Sequence, residues 1–269
     1  DEIDKAIPAA LAVEIFHNFT LLHDDIMDNA NVRRNKPTVH KKFSENSAIL
    51  SGDAMAFLSY RYLLQSNTSK INEVVNLFTE TALEVCEGQQ YDMEFENRQV
   101  VAENEYLEMI RLKTAVLLGC SLKTGALLAG AEQETARQIY NLGINLGLAF
   151  QLQDDLLDTF GNQKTFGKKI GGDITANKKT YLLIKALENA SPEEKEELEK
   201  WLAKENFGKD EKFNAILKLF NQLNIEELTK QKIDSFFDIA SEILVKLTVD
   251  NEKKIPLREL SKKMLGRNS

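Results

Sequence analysis

At 269 residues with 43% apolar side chains, the chain can bury a substantial core, as one large domain or two small ones. A net charge of −8 and an isoelectric point near 5.2 exclude a nucleic-acid surface, which needs a basic stripe to displace phosphate counterions. Cys86 and Cys120 have no metal-ligand spacing around them and read as small core residues of a reducing compartment, here taken as the cytoplasm.

Only four prolines interrupt the chain, and Pro8, Pro37, Pro192 and Pro256 all suit helix starts or loops, so helix is the default reading. The first predicted helix, 8–29, opens with the apolar run Pro8 to Leu22. Its length is that of a buried helix, and Glu14, His17 and Asn18 within it argue against a membrane span or stable membrane insertion. Asp1 without an initiator methionine suggests a missing native N-terminus. Helices follow at 45–65, 70–96, 103–129, 132–160, 178–189, 192–204, 210–222, 225–248 and 253–266, and no strand ladder is needed. Ser191-Pro192-Glu193-Glu194 supplies an N-cap, a proline at the first helical position and an acid at the third. The expectation is an all-α protein, a single large helical bundle over residues 1–269 around a central cavity. Two polar, basic loops, Asn29 to Lys42 and Gly161 to Lys179, adjoin acidic helix ends and are where a site would be built.

The chemistry sits at those ends. His23-Asp24-Asp25-Ile26-Met27-Asp28 closes the first helix, and Gln153-Asp154-Asp155-Leu156-Leu157-Asp158 repeats the arrangement in a later one. Asp24 and Asp28, like Asp154 and Asp158, are one turn apart on a shared face, where two carboxylates repel unless a cation lies between them. Hard oxygen ligands without nearby His or Cys favour magnesium, which binds through one or two carboxylates and completes its shell with water and phosphate oxygens. One such cluster would more often be a solvated acidic face. Two copies with identical spacing, each followed by a basic loop, outweigh that reading. Arg33, Arg34 and Lys36 follow the first copy, and Lys164, Lys168, Lys169, Lys178 and Lys179 the second, as a diphosphate requires. A P-loop is excluded, because Gly161 to Lys168 has the wrong spacing and Lys169 stands where Ser or Thr must be. No nucleophile elbow is present, and His17, His23 and His40 have no evident serine or cysteine partner.

With these motifs the sequence resembles the trans-isoprenyl diphosphate synthases over nearly its whole length. His23 to Asp28 followed by Arg33-Arg34-Asn35-Lys36-Pro37-Thr38 is similar to the family's first aspartate-rich region, and Phe150 to Asp158 to its second. Gly88-Gln89 with Asp92, Lys113-Thr114, Gly167-Lys168, Gly171-Gly172-Asp173 and Lys178 with Thr180 follow in order. The resemblance implies the isoprenoid synthase fold and a short-chain enzyme that condenses an allylic diphosphate (dimethylallyl, geranyl or farnesyl) with isopentenyl diphosphate. It implies that Asp24, Asp28 and Asp154 hold magnesium, three ions with substrate bound, with Asp25, Asp155 and Asp158 supporting the metal shell. Arg33, Lys113, Thr114, Gln151, Lys168 and Lys178 would contact the allylic diphosphate, His17 and Arg34 the isopentenyl diphosphate. A homodimer is implied as well. Two departures stand out: the sequence begins too late to contain the Gly-Lys-x-x-Arg segment that the family usually carries well upstream of the first motif, and Asn177 replaces a usual glycine, although asparagine tolerates positive φ.

Each helical turn rises about 5.4 Å, close to one isoprene unit, so Thr20, Phe19 and Phe16 would line successive depths of a prenyl tunnel ahead of Asp24. Bulky Phe19 beside small Thr20 predicts a short product, C20 ahead of C15. A class I terpene cyclase is disfavoured by the second D-D-x-x-D, a head-to-head synthase by the Arg-Arg and Lys-Thr context, and a non-catalytic subunit of a heteromeric synthase by the presence of both motifs.

Overall fold

A computed structural model of the chain describes residues 2–161, 170–204 and 208–265. The chain divides into two compact units, one made of the residues up to Glu84 with Leu117–Gly143, the other of Val85–Val116 with the residues from Ile144 on.

The first unit holds α1 (Glu2–Met27), β1 (Val32–Arg33), β2 (Lys36–Pro37), α2 (Val39–Lys42), α3 (Glu45–Leu63) and the start of α4 (Ile71–Glu96). Most of α6 (Val116–Leu128) and the first turns of α7 (Gln133–Phe160) complete it. Helix α1 lies along α3. Gly52 permits this, because a Cβ there would sit 2.2 Å from His23 Nε2, whose ring meets the Ile49 carbonyl at 3.2 Å. Phe16 of α1 packs edge-on to Phe78 of α4 at 5.2 Å, and Phe78 in turn to Tyr60 of α3. Ser44 caps α3 by accepting from the Ser47 amide.

Helix α1 starts before Pro8, which lies within it and not at its beginning as the sequence suggested. Proline's missing N–H forfeits one hydrogen bond in the second turn, a loss the long helix tolerates. Ile3–Met27 is longer than the expected apolar run and, by length and composition alone, could cross a membrane. The two-residue strands were likewise not expected. They pair antiparallel, Val32 with Pro37 and Arg33 with Lys36, around Arg34 and Asn35, both left-handed at φ 52° and 60°. Two successive positive φ values make a type I′ hairpin turn. Thr38 Oγ1 donates to the Ala30 carbonyl and ties the loop back to the end of α1.

The second unit holds the rest of α4, α5 (Glu103–Ile110), a π-helical turn (Arg111–Ala115), the rest of α7, α8 (Gly172–Thr175), α9 (Tyr181–Asn189), α10 (Pro192–Ala203), α11 (Lys209–Gln222), α12 (Ile225–Lys246) and α13 (Asn251–Leu265). Ser191, Pro192 and Glu194 form the capping box that starts α10, as read from the sequence. Helix α9 packs on α5 and α12. Glu103 of α5 ties them together by accepting from Lys185 at 3.1 Å and Lys232 at 2.8 Å.

The helix expected over 103–129 is therefore broken by a π-turn, and Lys113-Thr114 lies inside it. Two glycines bring neighbouring backbones against this turn. A Cβ on Gly88 of α4 would lie 2.3 Å from the Lys113 amide nitrogen, and one on Gly147 of α7 would lie 2.5 Å from Ala115 Cα. Pro256 lies inside α13, not at its start. Cys120 is buried as expected, but Cys86 is exposed, because it falls on the outer face of α4.

Candidate active site

Helices normally carry cations in their last turn, where the backbone dipole is negative. Helices α1 and α7 do the reverse. Neither has a basic residue there, and they end in Asp24, Asp25 and in Asp154, Asp155, Asp158 respectively. Each end thus concentrates negative charge that calls for a cation from elsewhere.

In the first unit, that cation is Arg33. The hairpin turns its guanidinium back onto α1, where Nε donates to Asp25 Oδ1 at 2.7 Å and Nη2 to Asp24 Oδ2 at 3.0 Å. Asp25 is buried, which raises its pKa against the opposing pull of Arg33. Asp28 is exposed at the helix end. His17 is half-buried, and its pKa is lowered by that burial and by the charges of Arg34 and Arg33, so the three lie in one electrostatic neighbourhood. Arg34 itself is exposed. Of the three residues expected to set product length, Phe16 is buried and packs edge-on to Phe19 at 5.3 Å, while Thr20 donates its hydroxyl to the His17 carbonyl.

In the second unit, Asp155 is buried, with both carboxylate oxygens engaged. Tyr106 donates its hydroxyl to Oδ2, and Gln151 Nε2 donates to Oδ1 at 3.1 Å. Gln151 Oε1 accepts from the Thr114 hydroxyl at 3.0 Å. Burial, then the charges of Asp173 and Asp154, push the Asp155 carboxyl well above the usual carboxylate range. Burial and the neighbouring Asp155 raise the Tyr106 hydroxyl in the same direction. Lys113 extends from the π-turn to Asp92, with Nζ to Oδ2 at 2.6 Å. Asp158 Oδ2 accepts from the Asp173 amide at 3.0 Å, and the Asp158 carbonyl from the Gly171 amide at 2.7 Å, which fastens the end of α7 to α8. The Lys178 amide returns to the Asp173 carbonyl at 3.0 Å. Lys168, with Lys164, Gly167 and Lys169, lies outside the described residues.

The family model for polyprenyl synthetase matches residues 1–220. The chain belongs to the polyprenyl synthetase family. The synthetase is 42% identical over 220 residues to a short chain isoprenyl diphosphate synthase of Methanocaldococcus jannaschii, covering 81% of this chain and 67% of that protein. It is 38% identical over 260 residues to a geranylgeranyl diphosphate synthase of Saccharolobus solfataricus, covering 94% and 75%. A crystal structure of a geranylgeranyl pyrophosphate synthase matches with a TM-score of 0.93 at 48% identity, covering 99% of this chain and 82% of that one. The synthetase is thus a prenyltransferase with the all-α isoprenoid synthase fold.

Of the expected site residues, the structure groups Asp24, Asp25 and Arg33, with His17 close to Arg33 and Arg34, in the first unit. In the second it groups Thr114, Gln151 and Asp155. It directs Lys113 to Asp92 and Asp158 to the α8 backbone. Sequence reasoning missed Tyr106. Its position seven residues before Lys113, two helical turns away, was the available signal.

Proposed function

We propose that this synthetase elongates an allylic diphosphate with isopentenyl diphosphate to a short all-trans prenyl diphosphate, C20 ahead of C15, releasing diphosphate. The observation that carries the proposal is the pair of acid-ended helices without basic last turns, each beside a basic segment. Asp24, Asp28 and Asp154 would hold magnesium, and their hard carboxylate oxygens suit that ion. Among the described residues no three His, Cys, Asp or Glu are grouped tightly enough to hold an ion alone, so water and phosphate oxygens would have to complete the shell. When bound, magnesium supplies Lewis-acid neutralisation of the charge on the departing diphosphate.

The chain's own residues bind and orient. Arg33, Lys113, Lys168 and Lys178 hold the allylic diphosphate by charge-assisted hydrogen bonds, Thr114 and Gln151 contact it while bonded to each other, and His17 and Arg34 hold the isopentenyl diphosphate. Lys113 exchanges Asp92 for phosphate oxygen, and Arg33 adds phosphate to its two aspartates. As the allylic C–O bond breaks, the isopentenyl double bond forms the new C–C bond and the departing diphosphate takes the released proton, so no protein nucleophile is required. Phe16 and Phe19 present aromatic walls ahead of Asp24. Both acidic motifs are intact, which separates the chain from a non-catalytic subunit and from a terpene cyclase.

The test is turnover of labelled isopentenyl diphosphate with dimethylallyl, geranyl and farnesyl diphosphate as separate starters, with and without magnesium. Asp24→Asn and Asp154→Asn should each lose roughly 100-fold or more in kcat while keeping their circular dichroism. Near-normal rates in either variant would undo the metal assignment, and products far longer than C20 would undo the tunnel assignment. We further propose a cytoplasmic homodimer without stable membrane insertion. Leu50 and Phe57 of α3 and Leu64, the residue that follows it, are spaced seven apart and are 68%, 77% and 61% exposed, a stripe suited to a second copy. A sedimentation experiment that finds only monomer at micromolar concentration would refute the dimer.

A further inference from the structure

Three features converge on one buried tyrosine. Its hydroxyl is enclosed, it meets the second aspartate of the second motif, and that aspartate is linked through one glutamine to the threonine of the π-turn. We infer that Tyr106 is a positioning residue for prenyl transfer, acting through Asp155 and Gln151 to fix the Thr114 hydroxyl and the π-turn that carries Lys113. This rests on the function proposed above.

The relay has a definite direction. Tyr106 donates to Asp155 Oδ2, so that oxygen is fixed in place. The other oxygen, Oδ1, is then held where it can accept from Gln151 Nε2 at 3.1 Å. With its amide nitrogen committed to Asp155, Gln151 can present only its oxygen to Thr114, and it accepts the Thr114 hydroxyl hydrogen at 3.0 Å. The orientation of the Gln151 amide is thereby determined by Tyr106, two bonds away.

The hydroxyl is not required for packing alone. Tyr106 is buried, as are Met109 and Ile110 three and four residues further along α5, and phenylalanine would fill almost the same volume. A tyrosine buried so completely, facing a carboxylate, carries a desolvation cost that a phenylalanine would avoid. The relay accounts for keeping it. The geometry of the turn explains why the position needs fixing. A π-turn inserts an extra residue into the helix, which leaves its backbone less regularly bonded than an α-helix, and such turns recur at functional sites. The glycine contacts hold its backbone from two sides, at Gly88 and Gly147, but they do not orient the Thr114 side chain. The relay from Tyr106 does.

A double-mutant cycle on the full-length chain tests this, with Tyr106→Phe, Thr114→Val and both together. Tyr106→Phe should keep its fold and lose about tenfold in kcat with the KM for isopentenyl diphosphate changed less than threefold, because a misplaced contact to the reacting diphosphate costs rate more than ground-state binding. Thr114→Val should lose more. The double variant should match Thr114→Val within about twofold, because the two changes break one chain of bonds. Thr114→Ser, which keeps the hydroxyl, should retain most of the activity. Losses that multiply in the double variant would overturn the inference, as would wild-type turnover in Tyr106→Phe. Where Tyr106→Phe does not fold, the cycle is run with Asp155→Asn in its place, which cannot accept at both oxygens, and the same non-multiplying result is required. A wild-type protein that elongates no allylic diphosphate refutes the underlying function. An active wild type with an equally active Tyr106→Phe refutes the relay alone.

Discussion

Replacing Gly88 with alanine places one methyl group against the turn that carries Lys113. That methyl would lie 2.3 Å from the Lys113 amide nitrogen, 2.7 Å from its Cα and 2.8 Å from the Leu112 carbonyl carbon, all backbone atoms that no rotamer change can move. Ordinary contact begins near 3.4 Å, so α4 and the π-turn must separate by about 1 Å. The stability cost of such overpacking is about 1–3 kcal/mol, offset by up to about 1 kcal/mol because alanine favours helix over glycine. The protein should therefore fold, its melting temperature lowered by up to about 10 °C. Activity should respond far more, since a displacement of about 1 Å of a substrate-positioning group costs on the order of 100-fold. The control is Gly125→Ala on α6, where a Cβ meets nothing within 4 Å. That variant should keep full activity and gain up to about 1 kcal/mol from helix propensity. Both variants are compared by initial rate with labelled isopentenyl diphosphate and by thermal melting. A Gly88→Ala enzyme that is folded and as fast as wild type would show that the position of the π-turn does not limit the reaction.

Two further outcomes follow from single residues. Asn177, at φ 56°, donates its side-chain nitrogen to the Leu202 carbonyl at 2.9 Å and accepts from the buried Lys212 ammonium at 2.6 Å. Asn177→Gly should therefore lower stability by roughly 1–3 kcal/mol despite glycine's ease in that conformation, measured by urea unfolding, and an unchanged midpoint would refute the role of those bonds. His17 has its pKa lowered from 6.5 by burial, so the unfolded chain takes up a proton before the folded one as pH falls. Its contribution is complete above about pH 6.5 and is lost as pH falls towards the folded value, so wild type should lose more stability than His17→Asn between pH 7.5 and 5.5. Parallel urea midpoints over that range would contradict the burial of the imidazole.

Most of the helical frame was legible because few prolines interrupt it and the apolar spacing is regular. The hairpin was not, because two-residue strands carry no alternation and Arg34-Asn35 is not one of the Asn-Gly or Asp-Gly pairs that announce a type I′ turn. The π-turn was invisible for a different reason. Arg111-Leu112-Lys113-Thr114-Ala115 has ordinary helical composition, and the extra residue becomes evident only where the backbones held close by Gly88 and Gly147 press on it. The bond by which the Asp158 carboxylate accepts from the Asp173 amide, fifteen residues away at the start of α8, is a partner that local spacing does not reveal.

The middle aspartates give the clearest case of a pattern read correctly in part. The i, i+4 argument put Asp24 with Asp28 and Asp154 with Asp158 on shared faces, and it said little of Asp25 and Asp155. On an α-helix the next residue is turned by about 100°, so a first aspartate that faces outward carries the second into the protein. The structure bears this out twice: Asp25 and Asp155 are 6% and 5% exposed, both are raised in pKa by burial, and each is held by a donor from another element, Arg33 in one case and Tyr106 in the other. The donors differ in kind, and that difference has a consequence. Arg33 brings a full positive charge to Asp25, whereas Tyr106 brings only a dipole to Asp155, so removing the charge of Asp25 breaks an ion pair and removing that of Asp155 does not. Asparagine in place of Asp155 keeps the hydrogen bond from Tyr106 and sacrifices the one from Gln151, while asparagine in place of Asp25 leaves Arg33 with half of its two-carboxylate grip.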